Sequence, residues 1–246
     1  MAQAVRRRRL AQLGIIAAIV IVAVVIIAVA AGGSSNSHNA PPPANSKAER
    51  EAIAKVNAEL GGISQNGNSL GAATAPVSLV YFGDLQCPFC GEFTRGTLPK
   101  IIQKYVRTGK LRIEYRNMET ATANSEVFRQ QQIAALAAGR QNKAWNYLEL
   151  FYNEQGKENS GYVNEAFLQR LAHQTPGLDV SKWQSERASN ELANQIVTDA
   201  QTANNEGFTG TPSFLIGTTG GALKKLEGSI GETGPFEQAI EAQLKG

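Results

Sequence analysis

Val77-Ser78-Leu79-Val80-Tyr81-Phe82-Gly83-Asp84-Leu85-Gln86-Cys87-Pro88-Phe89-Cys90 carries both cysteines of this 246-residue chain. The run from Val77 to Phe82 is apolar except for Ser78, which predicts a central strand buried on both faces. A helical pattern opens at Pro88 and extends to about Thr108, with Phe89, Phe93, Ile101, Ile102, Tyr105 and Val106 recurring along it. Proline suits the first helical position, where its missing N–H costs nothing, and Pro99 is expected to bend the helix further on. Thiols at a helix start meet unpaired amides and the positive end of the dipole, which favour a thiolate. Cys87 is therefore expected to be the exposed, reactive sulfur, with Cys90 one turn on and more buried.

Two plainer readings of the cysteine pair compete with this one. Zinc needs about four ligands, and the only histidines are His38, in a Pro/Ser-rich stretch, and the distant His173. A structural staple is the other. Closing so short a loop stabilises by only about 2 kcal/mol in the chain-entropy model, and wide spacing would serve stability better. Redox chemistry fits the spacing best.

Downstream of the cysteines, Leu111, Ile113 and Tyr115 alternate with Arg112, Glu114 and Arg116, a strand with one buried face. Residues 124–206 carry helical periodicity broken at Gly139, Gly156, Gly161 and Pro176-Gly177. Ile133, Leu136, Trp145, Leu148, Leu150, Phe151, Phe167, Leu168, Leu171 and Trp183 are expected to form a helical subdomain's core. Ser213 to Gly217 and Leu223 to Gly228 read as a hairpin around a glycine-rich turn. Pro235 starts a last helix with Phe236, Ile240 and Leu244 on one face.

At the other end, Arg6 to Arg9 precede an apolar run from Leu13 to Ala31. As a helix that run spans roughly 29 Å, close to the hydrocarbon thickness of a bilayer. Basic residues stay cytoplasmic, so residues 1–9 are expected inside and residues 10–31 as a single-pass transmembrane signal-anchor. A cleaved signal peptide ending at Ala28-Val29-Ala30 is the competing reading, but signal h-regions are shorter, about 7–15 residues. Residues 32–46 are rich in Gly, Ser, Asn and Pro and read as a flexible linker of roughly 20 Å. Lys47 to Leu60 reads as a short helix stopped by Gly61-Gly62, opening a domain that runs to residue 246. The net charge of +3 comes from 24 basic against 21 acidic residues. Without Arg6–Arg9 the balance is near neutral, so nothing suggests a nucleic-acid surface.

The Cys87-Pro88-Phe89-Cys90 motif, the strand–helix–strand around it, and Gly210-Thr211-Pro212-Ser213-Phe214 before a later strand together resemble the DsbA-like thiol:disulfide oxidoreductases of bacterial cell envelopes. The resemblance covers roughly Ile63 to the C-terminus. It implies an α/β thioredoxin-like fold with an inserted helical subdomain. It also implies a cis Thr211–Pro212 bond beside the sulfurs, and catalysis by Cys87 and Cys90 with Pro212 and Thr211. No cofactor is implied beyond the redox-active disulfide itself, and no metal. A substrate thiolate would attack the Cys87 sulfur, and backbone groups near Pro212 would pair with an extended substrate.

Implied partners are unfolded exported proteins with free thiols, and an integral-membrane quinone-linked reoxidant resembling DsbB or vitamin K epoxide reductase. Strongly oxidising relatives carry His where this chain has Phe89, so a weaker oxidant is expected, with the Cys87 pKa lowered mainly by helix-end amides. Tyr81 stands where many relatives have a buried proton-relaying acid. Asp84 either substitutes for it as a relay or caps the turn. The alternatives are an isomerase or reductase using the same sulfurs, or a non-catalytic anchored binding module.

Overall fold

The computed structural model describes residues 43–228 and 230–245. The basic segment, the expected anchor and all of the linker before Pro43 lie outside the described residues. Among those described, no helix is long and apolar enough to cross a membrane.

Among the described residues, six strands form one sheet. They are β1 (Gln65–Asn66), β2 (Ser69–Leu70), β3 (Val77–Gly83), β4 (Leu111–Asn117), β5 (Ser213–Thr218) and β6 (Lys224–Lys225), in the order β1-β2-β4-β3-β5-β6. β3 lies parallel to β4, with Val77 opposite Leu111 and Gly83 opposite Asn117. It lies antiparallel to β5, with Phe82 opposite Ser213. Alternation of side chains across the pleat sends Leu79 and Tyr81 into one apolar cluster. Val80 and Phe82 go into a second, with Met118, Ala203 and Leu215. The strands of hairpin β1–β2 are too short to carry periodicity, but the two-residue loop Gly67-Asn68 between Asn66 and Ser69 is a hairpin dipeptide, and Gly67 takes the positive φ, 58°, that its first position requires.

Helix α1 (Lys47–Leu60) starts at Ser46, whose hydroxyl accepts the Glu49 N–H at 3.1 Å. The helical pattern after the cysteines stays helical throughout, Thr97 and Ile102 included, and falls into three segments as it bends. These are α2 (Pro88–Gly96), α3 (Leu98–Ile101) and a π-helical turn over Ile102–Val106. Pro99 has no N–H to give the carbonyl one turn before it, so the ladder misses one bond there and continues from Ile101 to Thr97.

Between β4 and β5 lie α4 (Ser125–Gly139), α5 (Ala144–Asn153), α6 (Glu165–Gln174), α7 (Val180–Glu186) and α8 (Asn190–Asn205). All ten apolar residues expected at their core are buried. They do not form a separate subdomain core, however: they join the cluster that contains Leu79, Tyr81 and both cysteines. The buried indoles are satisfied, Trp145 by the Asn68 carbonyl at 2.9 Å and Trp183 by the Ala134 carbonyl at 2.8 Å. The last helix, α9 (Gly234–Lys245), buries Phe236 and Ile240. Phe236 packs on Phe93 of α2 and Phe214 of β5, which fixes the cysteine-bearing helix against the sheet.

Candidate active site

Cys87 is the N-cap of α2, with Pro88 in the first turn and no side-chain cap. The turn before it is tightly held. The Cys87 N–H donates to the Asp84 carbonyl at 3.0 Å, and the Cys87 carbonyl accepts the Gly91 N–H at 3.1 Å. Gln155, in the loop after α5, donates its amide to both the Leu85 carbonyl (2.8 Å) and the Cys87 carbonyl (3.0 Å). Two separated carbonyls on one side-chain donor clamp the entry to the helix.

Neither sulfur is openly exposed. Cys90 is 0% accessible and Cys87 only 3%, so the expectation of an exposed Cys87 is corrected. Backbone of the loop before β5 lies against it: the Cys87 thiol donates to the Thr211 carbonyl at 3.3 Å. The Thr211–Pro212 peptide bond is cis. Both cysteines are free thiols. Phe89 projects outward and is 58% exposed. Beside it a groove of about 460 Å³ is lined by Phe208, Thr211, Pro212, Phe214 and Leu226, among others.

The two thiols are driven apart electrostatically. Cys87 is lowered to about 6, first by the hydrogen bond from the Cys90 side chain. Burial opposes this, and the Thr211 hydroxyl and the amides of Cys90 and Phe89 assist it. The expectation that helix-end amides dominate is therefore also corrected. Cys90 is pushed well above the usual thiol range by burial, and further by its bond to Cys87. The result is a thiolate on the outer sulfur and a protonated thiol on the inner one, the pairing that attack through Cys87 requires.

Asp84 is completely buried, and its carboxylate is surrounded by donors. Oδ1 accepts from the Gln86 N–H (3.0 Å), the Thr122 hydroxyl (2.6 Å) and the Gln131 amide (3.2 Å). Oδ2 accepts the N–H groups of Thr120 (3.1 Å), Ala121 (2.9 Å) and Thr122 (2.9 Å). This is the turn-capping geometry, extended to pin the loop after β4 against the motif. Tyr81 meets Tyr152 through their hydroxyls at 3.3 Å, Tyr152 donates to the Asp84 carbonyl at 3.2 Å, and Tyr115 donates to Gln132 at 3.3 Å. Burial holds all three phenols far above their ordinary range, with nearby Cys90 adding to the effect. The inner cysteine thus sits near neutral hydroxyls. A Cβ on Gly83 would come within 2.7 Å of the Tyr115 ring, so the glycine makes room for this cluster.

The structure brings Cys87, Cys90, Thr211, Pro212 and Phe89 together. Thr120, Thr122, Gln131 and Gln155 also belong to the site, and no spacing in the sequence singles them out. They reach it through long loops and the inserted helices. Among the described residues, no group of three or more His, Cys, Asp or Glu side chains is placed to hold a metal.

A family model described as "Thioredoxin" matches residues 64–225. A protein named "Probable disulfide bond formation protein D" from Bacillus anthracis is 26% identical over 155 residues, covering 60% of this chain and 68% of that protein. Two solved structures carry the fold. The oxidised BdbD of Bacillus subtilis is 21% identical with a TM-score of 0.63, covering 75% of this chain and 98% of that one. The Wolbachia pipientis alpha-DsbA1 is 22% identical with a TM-score of 0.61, covering 76% and 92%.

Proposed function

The chain belongs to the thioredoxin family and is a DsbA-like thiol:disulfide oxidoreductase whose redox group is its own cysteine pair; from this we propose that it works as an oxidase, introducing disulfides into exported proteins. The observation that carries the reading is the opposed ionisation of Cys87 and Cys90 beside the Thr211–Pro212 edge.

The reaction begins from the Cys87–Cys90 disulfide. A client thiolate attacks the Cys87 sulfur, the S–S bond breaks, and Cys90 leaves and takes up a proton. A second client thiolate then attacks the client sulfur of the mixed disulfide and displaces Cys87 as a thiolate. Two electrons pass from the client to the cysteine pair. Cys87 is the attacked sulfur and Cys90 its buried partner. Thr211 supports the leaving thiolate, and the edge at Pro212 receives extended client backbone. Pro88 starts the helix, Phe89 borders the groove, and Asp84 holds the surrounding loops rather than moving protons.

In this reading residues 10–31 anchor the chain, residues 1–9 remain cytoplasmic, and the catalytic domain acts outside the membrane. The disulfide is then restored by a quinone-linked membrane protein of the DsbB or vitamin K epoxide reductase kind. The name of the Bacillus anthracis relative supports disulfide formation as the direction.

The direct test mixes the oxidised full-length chain with a reduced, unfolded client and counts free client thiols. Loss of client thiols matched by gain of thiols on the chain, abolished by Cys87→Ser, is expected. A chain that stays oxidised beside the client, yet reduces disulfides when supplied reduced, would make it a reductase instead.

A further inference from the structure

The Thr211 hydroxyl is the second group assisting the Cys87 thiolate, and its direction is not set by Thr211 alone. The side chain is nearly buried, at 9% exposure, and its oxygen lies 2.5 Å from the hydroxyl of Thr120. Thr120 comes from the opposite side of the site, on the loop after β4. Its backbone is pinned because its N–H is one of the three that converge on Asp84 Oδ2. Thr120 is itself exposed, but a β-branched side chain on a pinned backbone has few rotamers to choose from, and the one adopted sets its hydroxyl against Thr211.

Each hydroxyl has one proton and can accept as well as donate. If Thr211 gave its proton to Thr120, none would remain for the sulfur. If Thr120 donates instead, the Thr211 proton is free to turn to Cys87. The two chemical states of Cys87 then use two different atoms of one residue. The neutral thiol donates to the Thr211 carbonyl at 3.3 Å, and the thiolate accepts from the Thr211 hydroxyl.

We propose that Thr120 is a positioning residue of the redox centre: anchored through Asp84, its hydroxyl donates to Thr211 and directs the Thr211 proton at the Cys87 sulfur. The inference rests on the oxidoreductase reading of Cys87 and adds a residue that the cysteine motif and the Thr-Pro edge do not contain. The other groups acting most on Cys87 are the Cys90 thiol and the amides of Cys90 and Phe89. None of these is a charged side chain, so the loss of one hydroxyl donor is not masked by a nearby ion.

The test follows the pH dependence of Cys87 alkylation in the reduced full-length chain, with the modified sulfur identified by mass spectrometry. Thr120→Val keeps the shape and removes the donor. It should raise the Cys87 pKa by about 0.5, the size expected of one modest hydrogen bond. Thr120→Ser should restore the parent titration. In a Thr211→Val background, Thr120→Val should add nothing, because the intermediary is gone. Melting temperatures measured in parallel show whether each variant is folded. An unmoved titration in Thr120→Val, or an equal shift with and without Thr211, overturns the proposal while leaving the oxidoreductase reading intact. A parent chain whose Cys87 titrates as an ordinary thiol would overturn both.

Discussion

Removing the Cys90 sulfur asks what holds the charge on Cys87. The Cys90 thiol is the foremost of the groups that bring Cys87 down to about 6. A hydrogen bond to a charged acceptor contributes roughly 1.5–3 kcal/mol, which corresponds to roughly one to two pKa units. In Cys90→Ala the Cys87 titration should therefore move to between about 7 and about 8. It should not return fully to an ordinary thiol, because the Thr211 hydroxyl and the two amides stay in place. Cys90→Ser retains a donor at the same position and should titrate within about 0.5 of the parent. The assay is thiolate absorbance against pH on the reduced chain, where each variant has a single titrating sulfur. If the alanine and serine variants titrate together near the parent value, the helix-end amides set the ionisation and the Cys90 thiol does not.

The lowered Cys87 pKa also makes the stability of the reduced chain depend on pH. Between about 6 and about 8.5 the unfolded thiol holds a proton that the folded one has released, so stability rises with pH across that window and is lost on acidification. At pH 7 the gain is about 1.4 kcal/mol, equivalent to about 30 mV towards the oxidising side. Urea midpoints of the reduced chain should rise between pH 5 and pH 8 relative to those of the oxidised chain, which lacks the titrating group; parallel curves would contradict this. Asp84→Asn should destabilise by about 3 kcal/mol or more, because the new amide turns a donor towards groups that are themselves donors. A urea midpoint within error of the parent would show that the carboxylate does not organise these loops.

Strand β3 is legible because a buried central strand needs apolar residues on both faces, and Val77 to Phe82 supplies them. The helix start is legible from Pro88. The bend is legible from Pro99, whereas the widening to a π-helical turn over Ile102–Val106 is not. The burial of Cys87 could not be read from its neighbours in sequence, because Thr211, which accepts its hydrogen bond, lies 124 residues away. The same holds for Thr120 and Gln155. A lone threonine or glutamine in a loop has no period and no motif, and only the fold brings it to the sulfur. Asp84 is visible as a polar residue at a turn, while its six donors come partly from Thr120, Ala121, Thr122 and Gln131, which meet it only in space. Cys90 as the main influence on Cys87 is hidden for another reason: helix position marks Cys87 as the anionic sulfur without showing that the Cys90 thiol turns its proton towards it.

The register between β3 and β5 sets Phe82 directly opposite Ser213, so the turn leaving one strand and the turn entering the other emerge side by side from the same sheet end. All five inserted helices are spliced into the chain between those two points. That register brings the cysteine turn and the Thr211 carbonyl to one end of the sheet, while Thr120 and Gln155 from the intervening chain hold the two turns in place. Chain distant from the motif in sequence is thereby tied to the sulfurs in space, and a change of length or composition there reaches the chemical pivot through those few hydrogen bonds.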